Sequence, residues 1–287
     1  MTTSAFEYHA PTTVADALSL LDRHGDSAKV LAGGHSLIPL MKLRLARPEV
    51  IIDLGKIAAL SYIWEVDGGL AIGAMTTYAE LASSQLVKDR SPMLAEAAGQ
   101  VADPLVRNRG TLGGNLSHAD PASDLPAVAL ALGAELSVQS NSAHRAIAAD
   151  DFFVDLLTTA LGPTEVLTEI VIPAAAAGTG SAYVKFANKA SHYAIVGVAA
   201  SVTVSGGVCR DARIGVTGAG PKAVRATEAE AALKGKALDD ATVEAAAGRA
   251  GAGIDFSEDI HASAEYRAHL TSVYAQRVIA SAVSRAG

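Results

Sequence analysis

The chain has 287 residues, half of them hydrophobic, and a formal net charge of −7, which is length enough for two or three compact units with substantial cores. The acidic balance gives no support to nucleic-acid binding, where a basic face is expected. A single cysteine, Cys209, excludes a disulfide within the chain and an iron–sulfur cluster held by this chain's thiolates alone. The start, MTTSAFEYHAPTTVADALSLL, lacks the basic and apolar regions of a signal peptide. No run approaches the roughly 18 apolar residues that span a bilayer, so the expectation is a soluble, cytoplasmic protein.

In chain order, residues 13–24 read as a helix, with Val14, Ala17, Leu18 and Leu21 on one face and Thr12 or Thr13 as N-cap. A short strand over Lys29–Leu31 follows, then the loop Ala32-Gly33-Gly34-His35-Ser36, then a helix from Leu37 to about Ala46 closed by Pro48. Val50–Leu54 is a strand. Tyr62–Val66 and Leu70–Ile72 pair through Asp67-Gly68-Gly69, a good hairpin turn. Thr77–Ser83, Met93–Val101 and Ser123–Leu132 read as helices, the last with an early, tolerated Pro126. Glu135–Gln139 and Glu165–Pro173 look like strands, and the small-residue stretch 174–181 is the expected domain boundary. Beyond it, Ala182–Asn188, Ile195–Val204 and Ala212–Thr217 read as three strands, and Val224–Arg285 as mostly Ala-rich helix. The class is α+β, with a larger N-terminal unit and a smaller sheet-plus-helices unit.

Two paired-glycine loops stand out, Ala32–Leu37 and Thr111-Leu112-Gly113-Gly114-Asn115. A glycine loop leaving a strand exposes backbone N–H groups that favour an anion, most often phosphate. Glycine matters there because a Cβ would hold the phosphate away. Ser36 offers a hydroxyl or a helix cap, and Thr111 and Asn115 offer similar contacts in the second loop. Two converging loops without a catalytic lysine suit a pyrophosphate; ordinary tight turns are the alternative for each loop alone. There is no P-loop motif, and Gly215–Gly220 has the wrong spacing for a Rossmann fingerprint.

AGGHSLIPLMKLRLARPEVIIDL together with VRNRGTLGGNLSHADPASDLPAVALALGA resembles the FAD-binding subunits of the molybdenum hydroxylases, the xanthine dehydrogenase family. The wording of GGHSL, MKLRLA and HADPASDLPA is most similar to the aerobic carbon monoxide dehydrogenase branch. IGAMTTYAEL and VTGAGPKAVRATEAEAAL also fit family positions, so the resemblance covers the whole chain. It implies an FAD-binding fold of the vanillyl-alcohol oxidase (PCMH) type over residues 1–177, in two subdomains of about 1–57 and 58–177. A C-terminal three-stranded antiparallel sheet with helices would occupy 178–287.

By the same resemblance, FAD pyrophosphate lies between Ala32, Gly33, Gly34, His35, Ser36 and Leu37 on one side and Thr111, Gly113, Gly114 and Asn115 on the other. Asp124 matches a carboxylate near the flavin, or else it is a helix N-terminal charge. Leu167 matches an apolar residue packed on the flavin side, or is a plain core leucine. Lys185 and Tyr193 match positions near the isoalloxazine ring, where a cation would stabilise the reduced flavin and a tyrosine would control access; a surface lysine and a core tyrosine are the alternatives. His118, Asp120 and Asp124 lack a second histidine and are not assigned as a metal site. Arg107 and Arg109 could neutralise phosphate, face a partner, or be solvated surface.

The resemblance further implies a large molybdenum-cofactor subunit and a small subunit with 2Fe–2S clusters, assembled as a dimer of heterotrimers. Electrons would pass through the clusters to FAD and on to a quinone or other respiratory acceptor. No catalytic acid, base or nucleophile is expected on this chain. The compartment would be the cytoplasm, free or held at the inner face of the membrane through partners. Rival readings are a flavin subunit acting with a purine, aldehyde or N-heterocycle hydroxylase, a non-redox scaffold without FAD, and a self-contained flavin oxidase.

Overall fold

The computed structural model describes residues 2–286. β1 (Glu7–His9), α1 (Val14–His24), β2 (Ala28–Leu31), α2 (Leu37–Lys42) and β3 (Val50–Asp53) make a small parallel unit with strand order β1-β3-β2. The Thr13 hydroxyl caps α1 by accepting the Asp16 amide at 3.1 Å, and Ala17, Leu18 and Leu21 share a core with Val50 and Ile52. α2 ends earlier than the apolar spacing to Ala46 predicts. The amides of Leu45 and Ala46 both turn back to the Leu40 carbonyl and Arg44 takes a φ of 60°, a left-handed residue of the kind that terminates helices.

β4 (Ile63–Val66) and β5 (Gly69–Gly73) follow. Their turn places Asp67 at φ 49° and Gly68 at φ 78°, the left-handed pair that a two-residue hairpin of native twist requires. Six helices come next: α3 (Tyr78–Ser83), α4 (Gln85–Arg90), α5 (Pro92–Gln100), α6 (Pro104–Arg107), α7 (Leu112–His118) and α8 (Asp124–Leu132). Then come β6 (Glu135–Gln139), β7 (His144–Ala148), α9 (Ala149–Phe152), the small hairpin β8 (Phe153–Asp155) and β9 (Thr158–Thr159), and β10 (Val166–Ile172). The antiparallel sheet of this unit runs β4-β5-β10-β6-β7. Four short helices, α4, α6, α7 and α9, are not evident from sequence; α9 has no side-chain cap, but the other three do. Ser84 accepts from the Val87 amide, Asp103 from Val106 and Thr111 from Gly114.

The last unit contains β11 (Thr179–Ala187), β12 (Ala194–Ser205), β13 (Val208–Thr217), β14 (Val224–Arg225), α10 (Thr227–Leu233), α11 (Asp240–Ala247) and α12 (Ala264–Ser284). The three long strands are those expected from sequence, and the two residues of β14 add a fourth edge. β13 starts at Val208 rather than at Ala212, because Gly206 and Gly207, at φ 61° and 73°, close a tight hairpin with β12. Between α11 and α12 the chain is not helical, so the Ala-rich tail is broken at 248–263. Among the described residues, no helix is long and apolar enough to cross a membrane.

α8 joins the units. Every residue from Asp124 to Ala131 is buried, because the C-terminal sheet covers the side that the central core leaves open. The seat is close: a Cβ at Gly215 of β13 would stand 2.2 Å from the Ala127 carbonyl oxygen. Arg213 donates to the Leu130 carbonyl and to Asp150, and Lys222 to the carbonyls of Phe153 and Val154, all from the C-terminal sheet side to the central unit. Gly215→Ala must lift the sheet from α8 and is expected to lower unfolding stability by about 1–3 kcal/mol, measured by urea titration. Gly248→Ala is the control: its new methyl meets nothing closer than 3.6 Å and stability should not fall.

Candidate functional site

The first glycine loop leaves the C-terminal end of β2 and bends into α2. Gly34 lies at φ 78°, a conformation that glycine adopts without strain. Among the described residues, the backbone amides of Gly33, Gly34, His35, Ser36 and Leu37 donate to no protein acceptor. Ser36 occupies the α2 N-cap position but makes no capping bond, so its hydroxyl is also available. His35 is exposed. Five successive free amides around a left-handed glycine form a concavity suited to anionic oxygens.

The second loop behaves differently. The amides of Leu112 and Gly113 donate to the carbonyls of Thr76 and Ala74 at 2.9 and 2.8 Å, and that of Asn115 to Thr111 O. The Gly114 amide goes to the Thr111 hydroxyl at 3.1 Å. Asn115 Nδ2 donates to the Tyr78 hydroxyl at 2.9 Å and its Oδ1 accepts from Ser123 at 2.7 Å. The expectation that this loop offers amides as the first one does is therefore corrected: its donors are spent seating it on the segment after β5. What remains unspent is the hydroxyl proton of Thr111, itself buried, and one N–H of the half-buried Asn115.

The structure brings the two loops together. A Cβ at Gly33 would lie 2.1 Å from the Arg109 carbonyl oxygen and 2.8 Å from Gly110 Cα. A Cβ at Gly114 would come within 3.3 Å of Ala32 Cβ. Tight packing continues beneath, where a Cβ at Gly113 would meet Ala74 at 2.5 Å and one at Gly110 would enter the Tyr78 ring. The loops thus touch backbone to backbone.

Asp124 and Lys185 form a buried ion pair, Nζ to Oδ2 3.0 Å, each side chain 5% exposed. Lys185 Nζ also donates to the carbonyls of Gln100 at 3.0 Å and His192 at 2.6 Å, which accounts for all three ammonium protons. Tyr183, two residues before Lys185 and so on the same face of β11, donates to Asp124 Oδ1. Burial pushes the Asp124 carboxyl up, opposed by Lys185 and Tyr183, and burial raises the Tyr183 phenol. Both alternatives for Asp124 meet here: it starts α8 and it is a buried carboxylate. Lys185 is not the surface lysine that was the alternative reading; it is buried, and its charge is matched within the protein.

Tyr193 is 47% exposed, at the end of a loop whose His192 has φ 62° and is held by Lys185. Its phenol is raised by partial burial and by the charges of Asp120 and Asp124, and the next residue's amide, Ala194 N–H, donates to the Ala122 carbonyl at 3.1 Å. Leu167 is buried on β10 opposite Val138, in the central core that also contains Leu112 and Leu116. Asp120 Oδ1 accepts the Ala122 amide at 2.9 Å. Arg107 Nη1 holds the carbonyls of Val101 and Ala102, each at 2.9 Å, and Arg109 is exposed. Arg107, Asp103, Lys185 and His192 line one open cleft. The Asp103 carboxyl is held low by the Val106 amide, and more weakly by Arg107 and His35. Tyr78, Ser123 and Tyr183 were not singled out from sequence. The Thr77 cap and the strand period around Lys185 were the available signals for Tyr78 and Tyr183.

An α+β chain with two apposed glycine loops, one of them lined by free amides, defines a protein that holds a phosphate-bearing cofactor. Residues 4–175 match the family model of the FAD binding domain in molybdopterin dehydrogenase, and residues 181–282 that of the CO dehydrogenase flavoprotein C-terminal domain. The chain is 42% identical over 280 residues to the carbon monoxide dehydrogenase medium chain of Hydrogenophaga pseudoflava, covering 98% of both. It is 40% identical over 281 residues to the nicotine 6-hydroxylase medium subunit of Paenarthrobacter nicotinovorans, again covering 98% of both. A solved structure of carbon monoxide dehydrogenase from Hydrogenophaga pseudoflava superposes with a TM-score of 0.97 at 44% identity, covering 99% of each chain. The chain belongs to the FAD-binding subunit family of the molybdenum hydroxylases.

Removing one partner of the buried pair leaves the other charge uncompensated, which costs about 3–5 kcal/mol. Asp124→Asn and Lys185→Met are each expected to lose that much stability in urea unfolding. The double variant should lose clearly less than the sum, and strictly additive losses would contradict the pairing.

Proposed function

We propose that the FAD pyrophosphate rests on the free amides of Gly33 to Leu37, with Ala32 and Thr111 to Asn115 closing the opposite side. The observation that carries this is the row of five unpaired amides facing a loop that touches it through glycine. When bound, FAD supplies a redox centre that takes up electrons and passes them on. The chain's own residues bind and orient. The first loop contributes donors, Thr111 and Asn115 each have one donor proton not spent within the protein, and Arg107 adds positive potential at the cleft. Lys185, fixed by Asp124, holds the His192 carbonyl and so the loop that carries Tyr193, which with Leu167 would hold the isoalloxazine part of the cofactor.

In this reading the chain is the medium subunit of a carbon monoxide dehydrogenase-type complex. It receives electrons from iron–sulfur clusters of a small subunit, itself fed by a large molybdenum-cofactor subunit. It delivers them to a quinone or other respiratory acceptor, in a dimer of heterotrimers in the cytoplasm or at the inner face of the membrane. The division into units 1–57, 58–177 and 178–287 is supported by three hydrophobic cores drawn mainly from those ranges, although Leu60 and Val166 pack with the first and Tyr183, Ala199 and Ala223 with the second. A second reading, the flavin subunit of an N-heterocycle hydroxylase, is favoured by the 40% identity to the nicotine 6-hydroxylase medium subunit.

The deciding experiment is an anaerobic visible spectrum of the chain purified with its native partners. Flavin bands that bleach with carbon monoxide are the expected result. Bleaching with nicotine and not with carbon monoxide establishes the second reading, and a complex without flavin overturns both. In the same preparation Gly33→Val is expected to lower flavin content by more than about tenfold, with the far-ultraviolet circular dichroism retained. Ser36→Ala should lower it less, and full flavin content in Gly33→Val would remove the loop assignment.

A further inference from the structure

Away from the glycine loops, the described residues contain one group of three metal-ligating side chains whose donor atoms converge: Glu7, His9 and His24, all within 4.8 Å of one another. The backbone places them there. Glu7 and His9 are two apart on β1 and share one face of the strand, while Tyr8 between them turns the other way and donates to Asp53 at 2.7 Å. Parallel pairing of Glu7 with Val50 and His9 with Ile52 fixes the strand. His24 is the last residue of α1, held by burial of Leu18 and Leu21 and by the Gly25 amide closing on the Leu21 carbonyl.

Two further observations single this group out. His9 Nε2 is shielded from solvent and makes no hydrogen bond of acceptable geometry, although Glu7 Oε1 stands 2.9 Å away. An imidazole nitrogen and a carboxylate oxygen in contact without hydrogen-bond geometry between them are placed as two ligands of one cation would be. The rings of His9 and His24 have their centres 5.5 Å apart with planes tilted by 36°, which is neither a stack nor an edge-on pair. Two imidazoles on one tetrahedral ion, with metal–nitrogen distances of about 2.0–2.1 Å, stand about 5 Å apart centre to centre. The arrangement therefore needs only side-chain rotation to close on an ion.

We propose that Glu7, His9 and His24 bind a zinc ion. Imidazole with one carboxylate suits zinc, whereas an all-oxygen shell suits calcium or magnesium. Three protein ligands leave the fourth position to water. The site bridges the edge strand β1 to the end of α1, so the ion acts as a clamp on the N-terminal segment of the unit that carries the first glycine loop. Because it forms only in the folded chain, zinc raises the unfolding temperature.

The test uses the assembled, flavin-containing protein, stripped with a chelator and dialysed against micromolar zinc sulfate. The expected result is one more zinc per chain in the parent than in His9→Ala or His24→Ala, and affinity lower by at least about tenfold in either variant by calorimetry. Flavin content should be equal in all three, and zinc should raise the unfolding temperature of the parent alone. Glu7→Gln should bind with intermediate affinity. Equal zinc content and affinity in parent and histidine variants, or no uptake by the parent, overturns the proposal.

Discussion

Everything at the candidate cofactor site depends on a place where no side chain fits. Position 33 presses against the carbonyl of Arg109, at a distance where a methyl group would overlap a backbone atom. Backbone cannot rotate aside as a long side chain can, so the absence of a Cβ is what lets two segments some eighty residues apart form one concavity. The contact also transmits position. Gly113 is locked to Ala74 and Gly110 to Tyr78, so the first loop is registered against the five-stranded sheet through the second.

That geometry divides the labour between motifs that look alike on paper. Both are glycine pairs, yet the first keeps five amides free and the second uses its own to hold its seat. A loop whose donors all faced outward would be poorly anchored, and one whose donors were all satisfied would bind nothing. Joining one of each yields a rigid wall and a receptive one. Preorganisation of this kind lowers the ordering cost that a flexible pair of loops would bear on binding.

Much of the fold could be read from the chain because its long elements carry period and punctuation together. α1 shows both its cap and its apolar face, the β4–β5 hairpin has a turn residue at each left-handed position, and the three long C-terminal strands run apolar between breaks. The glycine loops were readable for the same reason. What escaped was decided by tertiary contact. α7 is seven residues with only two apolar side chains, Leu112 and Leu116, started by a cap and too short for periodicity to register. The early end of α2 reflects a left-handed arginine that sequence does not advertise. The roles within the site were harder still: Lys185 reads as a free charge until the fold sets Asp124 and two carbonyls around it. The convergence of Glu7, His9 and His24 combines a strand period with a helix end fifteen residues away, which no spacing rule relates.

The pairing of Lys185 changes how the site's electrostatics should be understood. A buried, unmatched ammonium beside a redox centre would act as a permanent bias toward the reduced state. Matched to Asp124 at 3.0 Å, it contributes a dipole rather than a net charge, and a dipole's influence falls off faster with distance. Its third bond, to His192 O, then becomes its more distinctive feature, since it holds a left-handed residue immediately before Tyr193. The positive potential left in the site comes from the amides of the first loop and the guanidinium of Arg107. In the proposed reading two tasks are thus separated: the loop dipoles would retain the charged part of the cofactor, while the buried ion pair fixes the loop that carries Tyr193.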